Sequence, residues 1–155
     1  MDIKTNVNRI LDKKKITYIS HTYDNSEAAP GIKVAEMIGV SADKVFKTLV
    51  TVGKSGANYV FVIPVASELD LKKAALAAGE KNISMIPQKQ LLPLTGYVHG
   101  GCSPIGMKKV FPTFIHSTAE SKDTILFSAG RIGYQVELSP AELGKVLRYT
   151  YADIV

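Results

Sequence analysis

Tyr59-Val60-Phe61-Val62-Ile63 is an unbroken apolar run. As a strand it needs cover on both faces, which places it inside a sheet with other elements packed above and below. The segment before it, Val45 to Val52, is also strand-like, and Gly53 to Asn58 between them has turn composition. The two read as a hairpin whose loop is longer than two residues. Thr124 to Ser128 and Tyr134 to Leu138 read as a second hairpin around Gly130 and Gly133. Thr17 to Tyr23 is rich in β-branched and aromatic residues, and short pieces around Val110 to Phe111 and Phe114 to Ile115 also read as strands.

Helical patterns fall between these strands. Val7, Ile10 and Leu11 give an amphipathic helix over about Asp2 to Lys14. Lys33 to Ile38 makes a short helix that Gly39 can end, after a loop from Asp24 to Gly31 containing Pro30. Leu69 to Ala78 is an alanine-rich helix closed by Gly79, with Lys72 and Lys73 on its exposed side. Gln88 to Leu92 forms another short helix after Pro87. Ser139-Pro140-Ala141-Glu142 is a capping box with proline at the first helical position, and the helix it starts is expected to run to about Arg148. Hairpins mixed with helices predict an α+β fold with a mixed sheet, not a doubly wound parallel one. With 155 residues and no repeat, low-complexity segment or linker, residues 1–155 read as a single domain.

The 46% hydrophobic and 21% charged shares are those of an ordinary globular chain. No apolar run approaches the roughly 20 residues of a membrane span, and the first residues lack the apolar core of a secretory signal. One cysteine rules out an internal disulfide framework. A cytoplasmic, membrane-free protein is expected. The net charge of +5 permits attraction to polyanions without establishing it.

Chemistry concentrates in the run Gly96-Tyr97-Val98-His99-Gly100-Gly101-Cys102-Ser103-Pro104-Ile105-Gly106-Met107-Lys108-Lys109, which lies between two segments that read as strands. Four glycines in eleven residues are either turn punctuation or a loop that brings bare N–H groups up to a ligand with negative charge. Lys47 is the second feature. Alternation places it on one face of its strand with Val45, Leu49 and Thr51. Its ammonium either snorkels to solvent from an edge or enters a cleft. A third is Ser128-Ala129-Gly130-Arg131-Ile132-Gly133, a hairpin turn whose serine and backbone amides could also line a pocket.

Common catalytic constellations are missing. There is no His-Glu-x-x-His, no Cys-x-x-Cys and no other spaced ligand set, which argues against a metal site. Gly-x-Ser-x-Gly and phosphate-loop patterns are absent as well. His21, His99 and His116 lie far apart and read as structural. Cys102 is either a nucleophile or a small buried hydrophobe.

Several segments gain meaning from their order and spacing. They are Val45-Phe46-Lys47-Thr48-Leu49, Pro64-Val65-Ala66 with Leu69-Asp70-Leu71-Lys72-Lys73, the glycine run, and Ser128-Ala129-Gly130. Together they resemble the YbaK/EbsC family of freestanding aminoacyl-tRNA deacylases, relatives of the editing domain inserted in bacterial prolyl-tRNA synthetases. The resemblance runs from the first helix to the last and includes His21-Thr22-Tyr23 and Ala152-Asp153-Ile154.

The resemblance implies a mixed, partly barrel-like sheet with a cleft for the aminoacylated 3′ end of tRNA, and no cofactor. It implies removal of cysteine from mischarged Cys-tRNA(Pro), with tRNA(Pro) as partner and prolyl-tRNA synthetase as a further candidate. The lysine matching Lys47 is the key active-site residue of those relatives. Residues matching Tyr23, Thr48, Gly100 and Ser128 line the same pocket. The family's substrate-assisted scheme has the cysteinyl thiol attack its own ester. Gly100 and Gly101 then offer backbone donors, and Lys47 anchors the terminal adenosine or its phosphate. Lys72, Lys73, Lys108 and Lys109 are candidate contacts to the acceptor stem.

Two departures bear on amino-acid specificity. Gln135 stands where the cysteine-specific branch has aspartate. Pro30 stands where it has phenylalanine, and the Tyr23 to Gly31 loop is shorter. Alternative readings are a deacylase for alanine or another small amino acid, and a noncatalytic tRNA- or synthetase-binding module.

Overall fold

A computed structural model of the chain describes residues 4–24 and 29–155. Helix α1 (Asn6–Lys13) starts at Thr5, whose side chain accepts from the Asn8 amide, while Asn8 caps the Thr5 N–H in return. Strand β1 (Ile19–Thr22) is shorter than the expected Thr17 to Tyr23, and the Thr17 N–H donates to the Glu142 carboxylate instead of to a strand. The part of the expected first helix before Lys4, and most of the Asp24 to Gly31 loop, lie outside the described residues. Helix α2 (Gly31–Ile38) ends at Gly39 in the left-handed conformation.

The central hairpin is β2 (Phe46–Gly53) and β3 (Asn58–Pro64), antiparallel with Lys47 opposite Ile63. Helix α3 (Leu71–Ala78) follows, begun by the Asp70 carboxylate accepting from Lys72 and Lys73 amides. Then come β4 (Ile83–Met85), α4 (Leu91–Thr95), β5 (Thr113–His116), the hairpin β6 (Ile125–Ser128) and β7 (Tyr134–Leu138), α5 (Pro140–Leu143) and β8 (Thr150–Ala152).

These strands make two sheets. One has the order β1-β7-β6 and is antiparallel. The other has the order β4-β2-β3-β5-β8, antiparallel around β2 and parallel from β3 to β8. A parallel bridge between Val45 and Leu126 joins the sheets. The result is a mixed α+β fold that is partly barrel-like without closing.

Strand β3 explains its own sequence. Val60 and Val62 belong to the core between the sheets and α1, with Val7, Leu11, Phe127 and Val136. Phe61 and Ile63 belong to the opposite core, with Ala74 and Ala75 of α3. A third cluster packs Ala35 of α2 on Val45, Val65 and Leu126. All four β3 residues are fully buried.

Several expectations are corrected. The glycine run follows α4, not a strand. No strand forms at Val110 to Phe111: Val110 is 98% exposed, and pairing begins only after Pro112. Helix α5 stops at Leu143. Ser139 caps it, but Glu142 reaches the Thr17 N–H and Lys145 instead of completing the box. Strands β4 and β8 have three residues each, too short to give a periodic signal.

Candidate active site

After the Val45–Leu126 bridge, β2 and β6 part company. Two positions further along each strand stand Lys47 and Ser128, and a cavity of about 420 Å³ opens between the strands. Thr48 comes from β2, Ser128 from β6 and Gln135 from β7, where Gln135 pairs directly opposite Ser128. Tyr23 and Pro30 approach from the two ends of the loop after β1, and Gly100 from the glycine run. Gly31 has to be glycine here. A Cβ on it would lie 2.3 Å from Val65 Cγ1, so the start of α2 presses directly on the residue after β3.

The cavity holds unsatisfied chemistry. Among the described residues, Thr48 Oγ1 and Gln135 Oε1 are buried side-chain atoms with no hydrogen-bond partner. Both residues line the cavity, and Gln135 is only 7% exposed. A buried polar atom without a partner costs about 1–3 kcal/mol, and a polar ligand in this cavity would remove that cost. Lys47 is half-buried and makes no ion pair among the described residues. The cavity therefore offers a cation, an acceptor and a hydroxyl to one small polar guest.

The glycine run is anchored, not floppy. The Tyr97 hydroxyl donates to the Ile105 carbonyl, and the Lys108 N–H to Thr95. Cys102, Ser103 and Ile105 are buried, and Cys102 also lines the cavity. Burial pushes the Cys102 thiol up to about 12, so it is no thiolate at neutral pH. Gly100 has φ +87°, and its N–H has no acceptor among the described residues. Gly101 departs from the expected role. Its N–H already donates to the Val98 carbonyl at 3.0 Å, and Gly101 does not line the cavity. Of the two glycines, Gly100 is the one whose N–H has no acceptor among the described residues.

The lysines separate. Lys73 is held by Asp153 at 3.1 Å and by the Val155 carbonyl at 2.8 Å. The Lys108 stem packs along Gly96. Lys72 and Lys109 are exposed. None of the four lines the cavity.

Sequence reasoning missed His99 and Glu68, both exposed on the cavity wall. The position of His99 beside Gly100 was the available signal. His21 and His116 are structural as read: His21 Nε2 meets Glu137 at 2.7 Å, and His116 Nδ1 meets Thr118 at 2.8 Å. Among the described residues no group of three His, Cys, Asp or Glu could hold a metal ion, and no helix is long and apolar enough to cross a membrane.

Residues 27–146 match the family model described as the aminoacyl-tRNA editing domain. The chain is 43% identical over 152 residues to EbsC of Enterococcus faecalis, a candidate Cys-tRNA(Pro)/Cys-tRNA(Cys) deacylase, covering 97% of this chain and 93% of that protein. It is 29% identical over 124 residues to the proline–tRNA ligase of Shouchella clausii, covering 79% of this chain but only 22% of the ligase. A crystal structure of a candidate trans-editing enzyme for prolyl tRNA synthetase has the same fold, with a TM-score of 0.82 at 21% identity and 98% of each chain covered.

Proposed function

The chain belongs to the aminoacyl-tRNA editing domain family, and from that premise we propose that it is a trans-editing deacylase that removes cysteine from Cys-tRNA(Pro). The observation that carries this reading is the pair of polar atoms without a partner among the described residues, Thr48 Oγ1 and Gln135 Oε1, in a cavity also lined by Lys47, which makes no ion pair among those residues. An aminoacyl group brings an ammonium for the Gln135 oxygen. Its ester carbonyl can take the Gly100 N–H. The adjoining nucleotide brings a phosphate for Lys47.

An aminoacyl ester is already activated, so positioning and charge stabilisation supply much of the acceleration. In the proposed step the cysteinyl sulfur attacks its own carbonyl carbon. The C–S bond forms, the C–O bond to the ribose breaks, and the thiol proton ends on the released ribose hydroxyl. The cyclic thiolactone then hydrolyses to cysteine. Cys102 has no part in this, since its own thiol stays protonated. Exposed Lys72 and Lys109, with Lys108, are the proposed acceptor-stem contacts, and Lys73 is the weakest of the four because it is already engaged.

Neutral Gln135 favours a second reading, deacylation of alanine or another small amino acid, because it supplies an acceptor without a full negative charge. Incubation of enzyme at catalytic concentration with cysteinyl-, alanyl- and seryl-tRNAs decides between them. Repeated turnover of Cys-tRNA(Pro) above the others is expected. Binding without turnover would leave only a noncatalytic module.

A further inference from the structure

The Gly101 N–H donates to the Val98 carbonyl at 3.0 Å and so closes a four-residue turn with His99 and Gly100 at its two corners. Gly100 has φ +87°, whereas His99 is not among the residues with positive φ, which makes this a type II turn. The second corner of a type II turn requires positive φ and is filled by the glycine. The first corner accepts any side chain and carries His99. Both corners line the cavity between β2 and β6, and His99 is exposed. One tight turn therefore brings two groups to the cavity wall: an imidazole, and an amide N–H with no acceptor among the described residues.

His99 differs from the other two histidines. His21 is held by Glu137, and His116 by Thr118 and Asp153. No hydrogen bond or ion pair holds the His99 ring among the described residues. Its ring nitrogens are open to exchange protons with a guest. The other titratable side chains on this wall, among the described residues, are Tyr23, Lys47, Glu68 and Cys102. Burial pushes the Cys102 thiol up to about 12, so it takes no part. Of the remaining group types, phenol, ammonium, carboxylate and imidazole, imidazole is the one that ordinarily changes charge between about pH 5 and 8. A group matched to the working pH both takes up and returns a proton readily.

The deacylation step needs such a carrier. The cysteinyl thiol loses a proton and the ribose oxygen gains one, and none of the groups given a role above moves it. We propose that His99 carries this proton. Its imidazole takes the proton from the thiol as sulfur bonds to the carbonyl carbon. The imidazolium then returns it to the ribose oxygen as the C–O bond breaks, leaving the ring neutral. The proposal rests on the deacylase reading, in which the Gly100 N–H meets the ester carbonyl. The side chain of the preceding residue then stands beside the reacting carbon.

Single-turnover hydrolysis of Cys-tRNA(Pro) at saturating enzyme, followed across the pH range in which imidazole titrates, tests it. His99→Ala and His99→Gln should lower the rate at neutral pH by roughly a hundredfold, the low end for general acid–base catalysis. In the unaltered protein the rate should rise through this range and level off. In both variants it should keep climbing with pH, because the thiol must then give its proton to solvent. Free imidazole should restore part of the rate to His99→Ala, since the position is exposed. An undiminished rate in the variants overturns the proposal. So does a loss that leaves the pH profile unchanged and is not rescued by imidazole, which would make His99 a positioning residue. Absence of turnover by the unaltered protein is a separate failure, in which the deacylase reading itself falls.

Discussion

The amide nitrogen of Ile132 stands 3.1 Å from where a side chain on Gly101 would begin, and the Arg131 Cα stands at 3.2 Å. The glycine run and the turn after β6 therefore touch backbone to backbone, with no room for a methyl group. Backbone cannot swing aside as a long side chain can. Gly101→Ala should push the two loops apart by a few tenths of an ångström and cost about 1–3 kcal/mol. Denaturant unfolding should show a lowered midpoint. Deacylation should fall as well, because Gly100 sits on one of the loops being separated and Ser128 ends the strand that leads into the other. An unchanged midpoint would mean the loops are not in register as described.

Lys47 should be needed for activity and not for the fold. It is half-buried, without an ion pair among the described residues, so truncation leaves no stranded partner charge there. Lys47→Ala should abolish deacylation with little change in Tm. Full activity in this variant would sink the assignment of the cavity.

Cys102 invites the opposite expectation. Burial pushes its thiol up to about 12, so at neutral pH almost none of it is thiolate. Alkylation by iodoacetamide should be slow in the folded protein at neutral pH and fast after unfolding. Cys102→Ser should keep deacylation, at some cost in stability from burying a hydroxyl. Rapid native-state alkylation, or an inactive but folded serine variant, would restore Cys102 as a reactive group.

How far the sequence speaks differs from element to element. Strand β3 was legible because both its faces are buried, which writes an unbroken apolar run into the chain. The hairpin β6–β7 was legible through its two turn glycines, both at positive φ. Strands β4 and β8 carry no such mark, because three residues cannot establish a period and their partners alone define them. The grouping of Tyr23, Thr48, Gly100, Ser128 and Gln135 came from resemblance to a family, since nothing in their spacing predicts convergence. Composition could not tell that the Gly101 N–H is used inside its own loop while the Gly100 N–H finds no acceptor among the described residues. That distinction depends on which carbonyl lies within reach after folding.

Gln135 carries a stability cost for the site. Its Oε1 is buried without a partner among the described residues, and Leu is close to Gln in size. Gln135→Leu should therefore raise the unfolding midpoint, by about 1 kcal/mol, while raising KM for aminoacyl-tRNA. Thr48→Val should act in the same direction for the same reason. A variant that loses stability would mean that Gln135 is already satisfied in the free protein.

Glu137 should make the three-stranded sheet sensitive to acid. Burial by itself would raise its carboxyl, but hydrogen bonds from Thr124 at 2.5 Å and His21 at 2.7 Å, together with Lys44 at 3.4 Å, outweigh that and hold it below the ordinary 4.5. A group depressed in the folded state binds protons more readily when unfolded. Its contribution is therefore complete above the unfolded value and is lost as pH falls through the folded one. Glu137→Gln should cost stability at about pH 7, and that deficit should shrink at an acid pH below the ordinary 4.5, as the pH falls through the depressed folded value. Urea midpoints of the two proteins at both pH values provide the comparison. A deficit of the same size at both would show that the hydrogen bonds, and not the charge, tie Glu137 to His21 and Thr124.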